Sequence, residues 1–175
     1  LVVPSSTRLP VEWEQFSLRD NIDLAWFDDS LSCLRDQLGA DLNRIYVTGM
    51  SAGGLYASYL ALRRNQVVAA AAPTAGGLII SYAPPERRTP IMLTWGGPND
   101  FAREQNFDVF ARDLIDDLAD GGHFIIACDH GAGHAWDPAL NIPMWQFFLD
   151  HPLDQTNRPY ATALPELFPD YCQIR

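Results

Sequence analysis

Apolar residues change their period along this chain, and the changes mark out alternating helices and strands. Leu24, Phe27, Leu31, Leu34 and Leu38 recur at steps of three and four, which is the spacing of one helical face. Asp20 and Asn21 supply capping oxygens ahead of that helix, and Gly39 is its natural stop. Residues 44–48 form a β-branched run that predicts a strand, and residues 55–64 are compatible with a helix. Short apolar runs at 67–72, 90–95 and 124–128 predict three more strands, each buried on both faces. Phe107, Phe110, Leu114 and Leu118 stripe a further helix that Gly121-Gly122 ends. Ile142, Trp145, Phe148 and Leu149 predict a closing helix. Between these elements, Leu1 to Val3 reads as a strand stopped by Pro4, and residues 5–18 are irregular, with Pro10 and Trp13. Residues 73–89 read as a lid-like excursion with two adjacent prolines.

Strands that alternate with helices, each a nearly continuous apolar run, imply an α/β fold with a mostly parallel sheet covered on both faces. Residues 1–152 form the core of this expectation. Residues 153–175 carry Pro159, Pro165 and Pro169 and read as an extended, loosely packed tail. A length of 175 residues suits one domain. The chain opens directly on an apolar run, without Met or a signal-like segment, so the domain is expected to begin upstream.

Composition narrows the partners. The net charge of −10 disfavours nucleic acid and anionic membrane surfaces, since both repel an acidic chain. No apolar run approaches the ~20 residues of a membrane-crossing helix. Cys33, Cys128 and Cys172 form no C-x-x-C pair. They read as buried thiols, with one disulfide plus a cysteine whose partner lies in a missing segment as the alternative. The absence of Lys, the acidic charge and the position of Cys172 lean toward an exported, secreted or periplasmic protein.

The chemistry centres on Gly49-Met50-Ser51-Ala52-Gly53, a G-x-S-x-G pattern between a predicted strand and a predicted helix. In that setting the pattern makes a nucleophile elbow, a sharp turn that lifts the serine hydroxyl above the sheet. Gly49, Ala52, Gly53 and Gly54 are small enough for strand and helix to meet there. The blander reading is a glycine-rich turn with an incidental serine.

A serine hydroxyl needs a base to take its proton, and that base needs a partner to fix its tautomer. Ser51, Asp100 and His134 follow successive strand ends in the order Ser, Asp, His. His134 is favoured over His130 because Gly133 frees its backbone and Trp136 can wall the site. His123 and His151 lie too far along the pattern to reach the elbow. Among the acids, Asp100 follows a Gly-Gly-Pro-Asn turn, whereas Asp129 and Asp137 share the histidine's own loop and Glu104 is a weaker competitor. As a plain structural residue Asp100 would be a turn or helix-cap aspartate. A metal site at Asp129, His130 and His134 would need helical spacing that Gly131 and Gly133 oppose, so neither metal nor cofactor is expected.

With these residues in place, the chain resembles the secreted α/β-hydrolase esterases that group polyhydroxyalkanoate depolymerases with feruloyl and acetyl-xylan esterases. The resemblance rests on Asp41, on the run from Asn43 to Gly54, on Trp95-Gly96-Gly97-Pro98-Asn99-Asp100, and on Gly133-His134-Ala135-Trp136, which is similar to the family's G-H-x-W motif. It implies an α/β-hydrolase fold that lacks its first strands and a serine ester hydrolase working through an acyl-enzyme. It also implies Ser51 as nucleophile, Asp100 as acid, His134 as base, the Ala52 N–H as an oxyanion donor and Trp136 on the acyl side of the pocket. The family's second oxyanion donor comes from a loop carrying His-Gly after an earlier strand, and no His-Gly precedes the elbow here. A longer parent chain, a second chain, or Ser5-Ser6-Thr7 would then have to supply it. The implied partner is a small or polymeric ester. A peptidase or acyltransferase on the same scaffold, and a non-catalytic fragment, are the alternatives. Trp95 and Trp136 fit an aromatic acyl group, and also fit ordinary core packing.

Overall fold

In the computed structural model, Asn21 starts the first helix by accepting from the backbone N–H groups of Asp23 and Leu24. The structure describes residues 1–6, 13–15, 21–156 and 159–175; Thr7, Pro10, Leu18 and Asp20, which figure in the sequence reading, lie outside them. Helix α1 (Ile22–Leu38) ends at Gly39 in the left-handed conformation, as the periodicity predicts. Then come strand β1 (Tyr46–Met50), helix α2 (Ala52–Arg63), β2 (Ala70–Thr74) and β3 (Ile91–Trp95). A small hairpin, β4 (Phe101–Ala102) and β5 (Gln105–Asn106), precedes α3 (Phe107–Asp120). Strand β6 (Ile125–Asp129), α4 (Asn141–Asp150) and β7 (Cys172–Ile174) complete the order.

The main sheet runs β1-β2-β3-β6-β7, with the first four strands parallel and β7 antiparallel on β6. The period of two along β3 divides the core. Ile91, Leu93 and Trp95 face α2 and α3 in one apolar cluster, while Met92 faces α4 and the C-terminal segment in the other. Helices therefore cover both faces.

Four expectations need correcting. Residues 1–3 are exposed and pair with nothing among the described residues, so they are not a strand. The second strand runs later than 67–72, because the Val67 and Val68 N–H groups close a turn onto the Arg64 carbonyl. Pro73 consequently sits inside β2, and the ladder to β3 is made at Ala71 and Thr74, skipping the residue without an N–H. The described residues of 153–175 are not loosely packed: Phe168 and Cys172 are buried, and β7 extends the sheet. Cys128 and Cys172 are joined as a disulfide, leaving Cys33 free and exposed on α1, so the reading of three buried thiols fails and the single disulfide of its alternative is present.

Among the described residues one side of the sheet is open. There strand β1 has a neighbour only at β2, and its residues are at best half-buried, whereas every residue of β2 and β3 is buried. Helix α4 flanks this side, with Met144 against Thr48 and Phe148 stacked on Tyr46. It buries Pro143, Met144, Phe147 and Phe148 and leaves Ile142, Trp145 and Leu149 exposed as a continuous apolar stripe.

Candidate active site

The chain leaves β1 through Ser51 at φ 59°, ψ −122°, a conformation rarely held by a non-glycine residue, and enters α2 at Ala52. Close packing holds this turn. The Ser51 N–H donates to the Thr74 carbonyl at 3.1 Å. A Cβ on Gly49 would lie 2.5 Å from the Gly53 carbonyl oxygen, and one on Gly54 would lie 2.2 Å from the Thr74 oxygen. Both positions therefore require glycine, as the elbow geometry demands. The Ser51 side chain makes no capping bond to α2. Ala52 opens that helix, where backbone N–H groups have no intrahelical acceptor.

Asp100 follows β3 through a single 3-10 turn (Gly97–Asn99) and is only 1% exposed. Its backbone is pinned on both sides: its N–H donates to Gly97, and its carbonyl accepts from Phe107, the first residue of α3. Its carboxylate is fully committed. One oxygen accepts the Gly96 N–H at 2.8 Å, and the other accepts His134 Nδ1–H at 2.6 Å. Because a buried carboxylate accepts at Nδ1, the neutral imidazole carries its proton there, and Nε2 keeps its lone pair.

His134 reaches that bond from the loop after β6. The loop is stitched to the acid's turn by His130 N–H on the Trp95 carbonyl and Gly133 N–H on the Gly96 carbonyl, at 3.0 and 2.9 Å. A Cβ on Gly96 would meet the Gly133 oxygen at 1.8 Å, so these two turns touch through glycine alone. The Phe107 ring lies 4.6 Å from the imidazole and limits its rotation. Ser51, Asp100 and His134 thus stand after β1, β3 and β6, at one end of a parallel sheet.

The competing residues do other work. Asp129 accepts from Gly131 N–H and faces Arg112, which also pairs with Asp108 and lies over the Trp95 ring. Asp137 caps the turn before α4 and accepts from the Tyr171 hydroxyl, which holds its carboxyl below the ordinary aspartate range. Glu104 sits in the β4–β5 turn with positive φ. The His130 Nδ1 accepts from Ala132 N–H. Trp136 is 37% exposed, with its indole N–H on Asn141. Trp95 is buried in the core with its indole N–H on Asp108, so it does not line an acyl pocket. The sequence reading missed the pinning roles of Gly96 and Phe107. Phe107 was visible there only as the start of an apolar stripe.

No family model matches this sequence, and no curated protein does. Solved structures do match. A thermostable esterase superposes with a TM-score of 0.62 at 23% identity, over 75% of this chain and 37% of its own. Native pOPH superposes with a TM-score of 0.65 at 18% identity, over 87% of this chain and 58% of its own. A carboxylesterase from Mesorhizobium loti superposes with a TM-score of 0.63 at 19% identity, over 83% and 67%. The fold is that of the α/β-hydrolases. This chain spans from about a third to two thirds of the length of these hydrolase-fold proteins. Sites in open α/β sheets form at the carboxyl ends of the strands, and Ser51, Asp100 and His134 lie just after those of β1, β3 and β6.

Proposed function

We propose that this chain carries the catalytic half of a serine ester hydrolase. The observation that supports it most is the bond between His134 Nδ1 and the buried Asp100 carboxylate, at the same end of the sheet as a strained Ser51. In this reading Ser51 attacks the ester carbonyl while His134 Nε2 takes its proton. The Ala52 N–H donates to the tetrahedral oxyanion. The imidazolium, stabilised by Asp100, returns the proton to the departing alcohol. Water then adds its hydroxyl to the acyl carbon as His134 takes its proton, and His134 returns that proton to the Ser51 oxygen as the acyl bond breaks and the acid leaves. The ester and carboxylesterase character of the superposed structures, and a pOPH variant solved in complex with pNPB, support a small ester as substrate. Within this reading, the depolymerase, feruloyl and acetyl-xylan esterase group is the finer assignment. Trp136 would then flank the acyl group, and export would suit the Cys128–Cys172 disulfide.

The open edge of β1 favours a division of labour. A β-strand added in parallel to β1, with an element covering Ile142, Trp145 and Leu149, would close the sheet beside the elbow and bring in the second oxyanion donor. The source is a preceding segment of a longer chain or a second chain. A non-catalytic fragment is the alternative that the same edge supports. Ester turnover by the parent chain and by Ser51→Ala, each checked for cooperative melting, separates them. The proposal expects turnover lost in the variant with its fold intact. Turnover equal to that of the parent would place the chemistry elsewhere.

A further inference from the structure

The end of the sheet opposite Ser51 holds a concavity. Strands β3 and β6 start there, just after Pro90 and Phe124, and a cavity of ≈ 470 Å³ opens beside them. Arg87, Arg88 and Arg175 line it, and among the described residues no Asp or Glu does, in a chain with 22 acidic residues and a net charge of −10. The Arg87 guanidinium is half-buried. It donates to the carbonyls of Asn65, Val68 and Ala69 and to the Thr89 hydroxyl, at 2.9 to 3.2 Å, all of them neutral. Desolvation works against its charge. The Arg88 guanidinium lies over Gly122 and is exposed. Among the described residues, none of the three arginines forms an ion pair with a carboxylate.

The remaining wall combines the aromatic rings of Phe124 and Tyr160 with the polar side chains of His123 and Gln155. Phe124 stacks on His151 at 5.4 Å, with Tyr160 edge-on to His151 at 5.6 Å. His151 is 3% exposed. Its Nδ1–H donates to the Phe147 carbonyl, and its Nε2 is buried without a hydrogen-bond partner. One half-buried arginine, Arg87, and two exposed ones, Arg88 and Arg175, none of them paired with a carboxylate among the described residues, stand beside aromatic rings and make a site for an anion with an apolar ring.

We propose that this cavity binds a small aromatic oxyanion, its carboxylate or phosphate head at Arg87, Arg88 and Arg175 and its ring against Phe124 and Tyr160. The site is separate from Ser51 and does not depend on ester hydrolysis. Calorimetric titration of the intact chain with benzoate and with phenyl phosphate tests it, with benzyl alcohol and inorganic phosphate as the neutral and head-only controls at matched ionic strength. The expected result is that at least one aromatic anion binds about tenfold or more tighter than both controls; whichever does so names the head group. Arg88→Gln, at an exposed position, weakens that binding about tenfold without shifting thermal unfolding, and Arg175→Gln repeats the loss. His134→Ala leaves it unchanged. Equal binding of benzyl alcohol, binding that survives both arginine variants, or binding that disappears in His134→Ala would each overturn the proposal.

Discussion

Replacing Asp100 by Asn keeps size and shape while changing which atoms accept. The Asp100 side chain takes two bonds, from Gly96 N–H and from His134 Nδ1–H, and it is buried too deeply for water to substitute. An asparagine has one acceptor oxygen and one donor nitrogen. If the oxygen stays on Gly96, the amide donates to His134 and forces the imidazole proton onto Nε2. That tautomer cannot accept the Ser51 proton. The opposite flip preserves the tautomer but aims the amide hydrogens at Gly96 N–H, leaving a buried donor unpaired at a cost of ~1–3 kcal/mol. The first arrangement therefore dominates. The same exchange in Ser-His-Asp enzymes lowers kcat by about 10⁴, or roughly 5.5 kcal/mol of barrier at 1.36 kcal/mol per decade. Stability changes far less, by ~1–3 kcal/mol for one charge-assisted bond. The assay is steady-state hydrolysis of a chromogenic ester by parent and Asp100→Asn, with urea unfolding of both. Activity within about tenfold of the parent, in a variant that folds, would refute the role given to Asp100.

Other consequences follow from packing and burial. Gly54→Ala drives a Cβ to 2.2 Å from the Thr74 oxygen that also anchors Ser51; we expect a loss of ~1–3 kcal/mol and of turnover together, and an unchanged urea midpoint would count against the close approach. Cys172→Ala frees a bridge spanning 44 residues; loop entropy puts the cost at about 4 kcal/mol, read by unfolding with and without reductant, and reductant should no longer matter in the variant. His123 and His151 are buried, and desolvation, the largest cause, lowers both pKa values. The unfolded chain then binds more protons than the folded one as pH falls through the ordinary histidine range, so stability present above that range is lost below it. The urea midpoint should drop between pH 7.5 and pH 5.5, and less steeply in His151→Gln; a midpoint that rises on acidification would contradict this sign.

The parts of the fold that were legible in the sequence have strong local signatures. Residues 91–95 and 125–129 are apolar on both faces, α1 has a stripe and two caps, and the elbow is marked by glycines of which Gly49 and Gly54 leave no room for a Cβ. Asp100 and His134 were legible because each follows a strand within a glycine turn. What escaped depends on distant partners. Strand β7 has three residues, too few to show a period, and exists because β6 and Cys128 capture it. Helix α4 is apolar nearly all round, so its sequence could not say that Met144 and Phe147 would face the sheet while Trp145 would stand 60% exposed. Trp95 read equally well as pocket or core, and only its bond to Asp108 decides. Leu1 to Val3 have strand-like composition, but among the described residues no strand pairs with them.

The central claim is that Ser51 is an activated nucleophile, and an active-site-directed fluorophosphonate reports that directly. The purified chain is exposed to the probe, digested, and the adduct mapped by mass spectrometry, beside His134→Ala treated identically. The account predicts a single adduct on the peptide containing Ser51, and its loss in the His134 variant. A folded chain that takes no adduct at Ser51, or takes it equally well without His134, would contradict it.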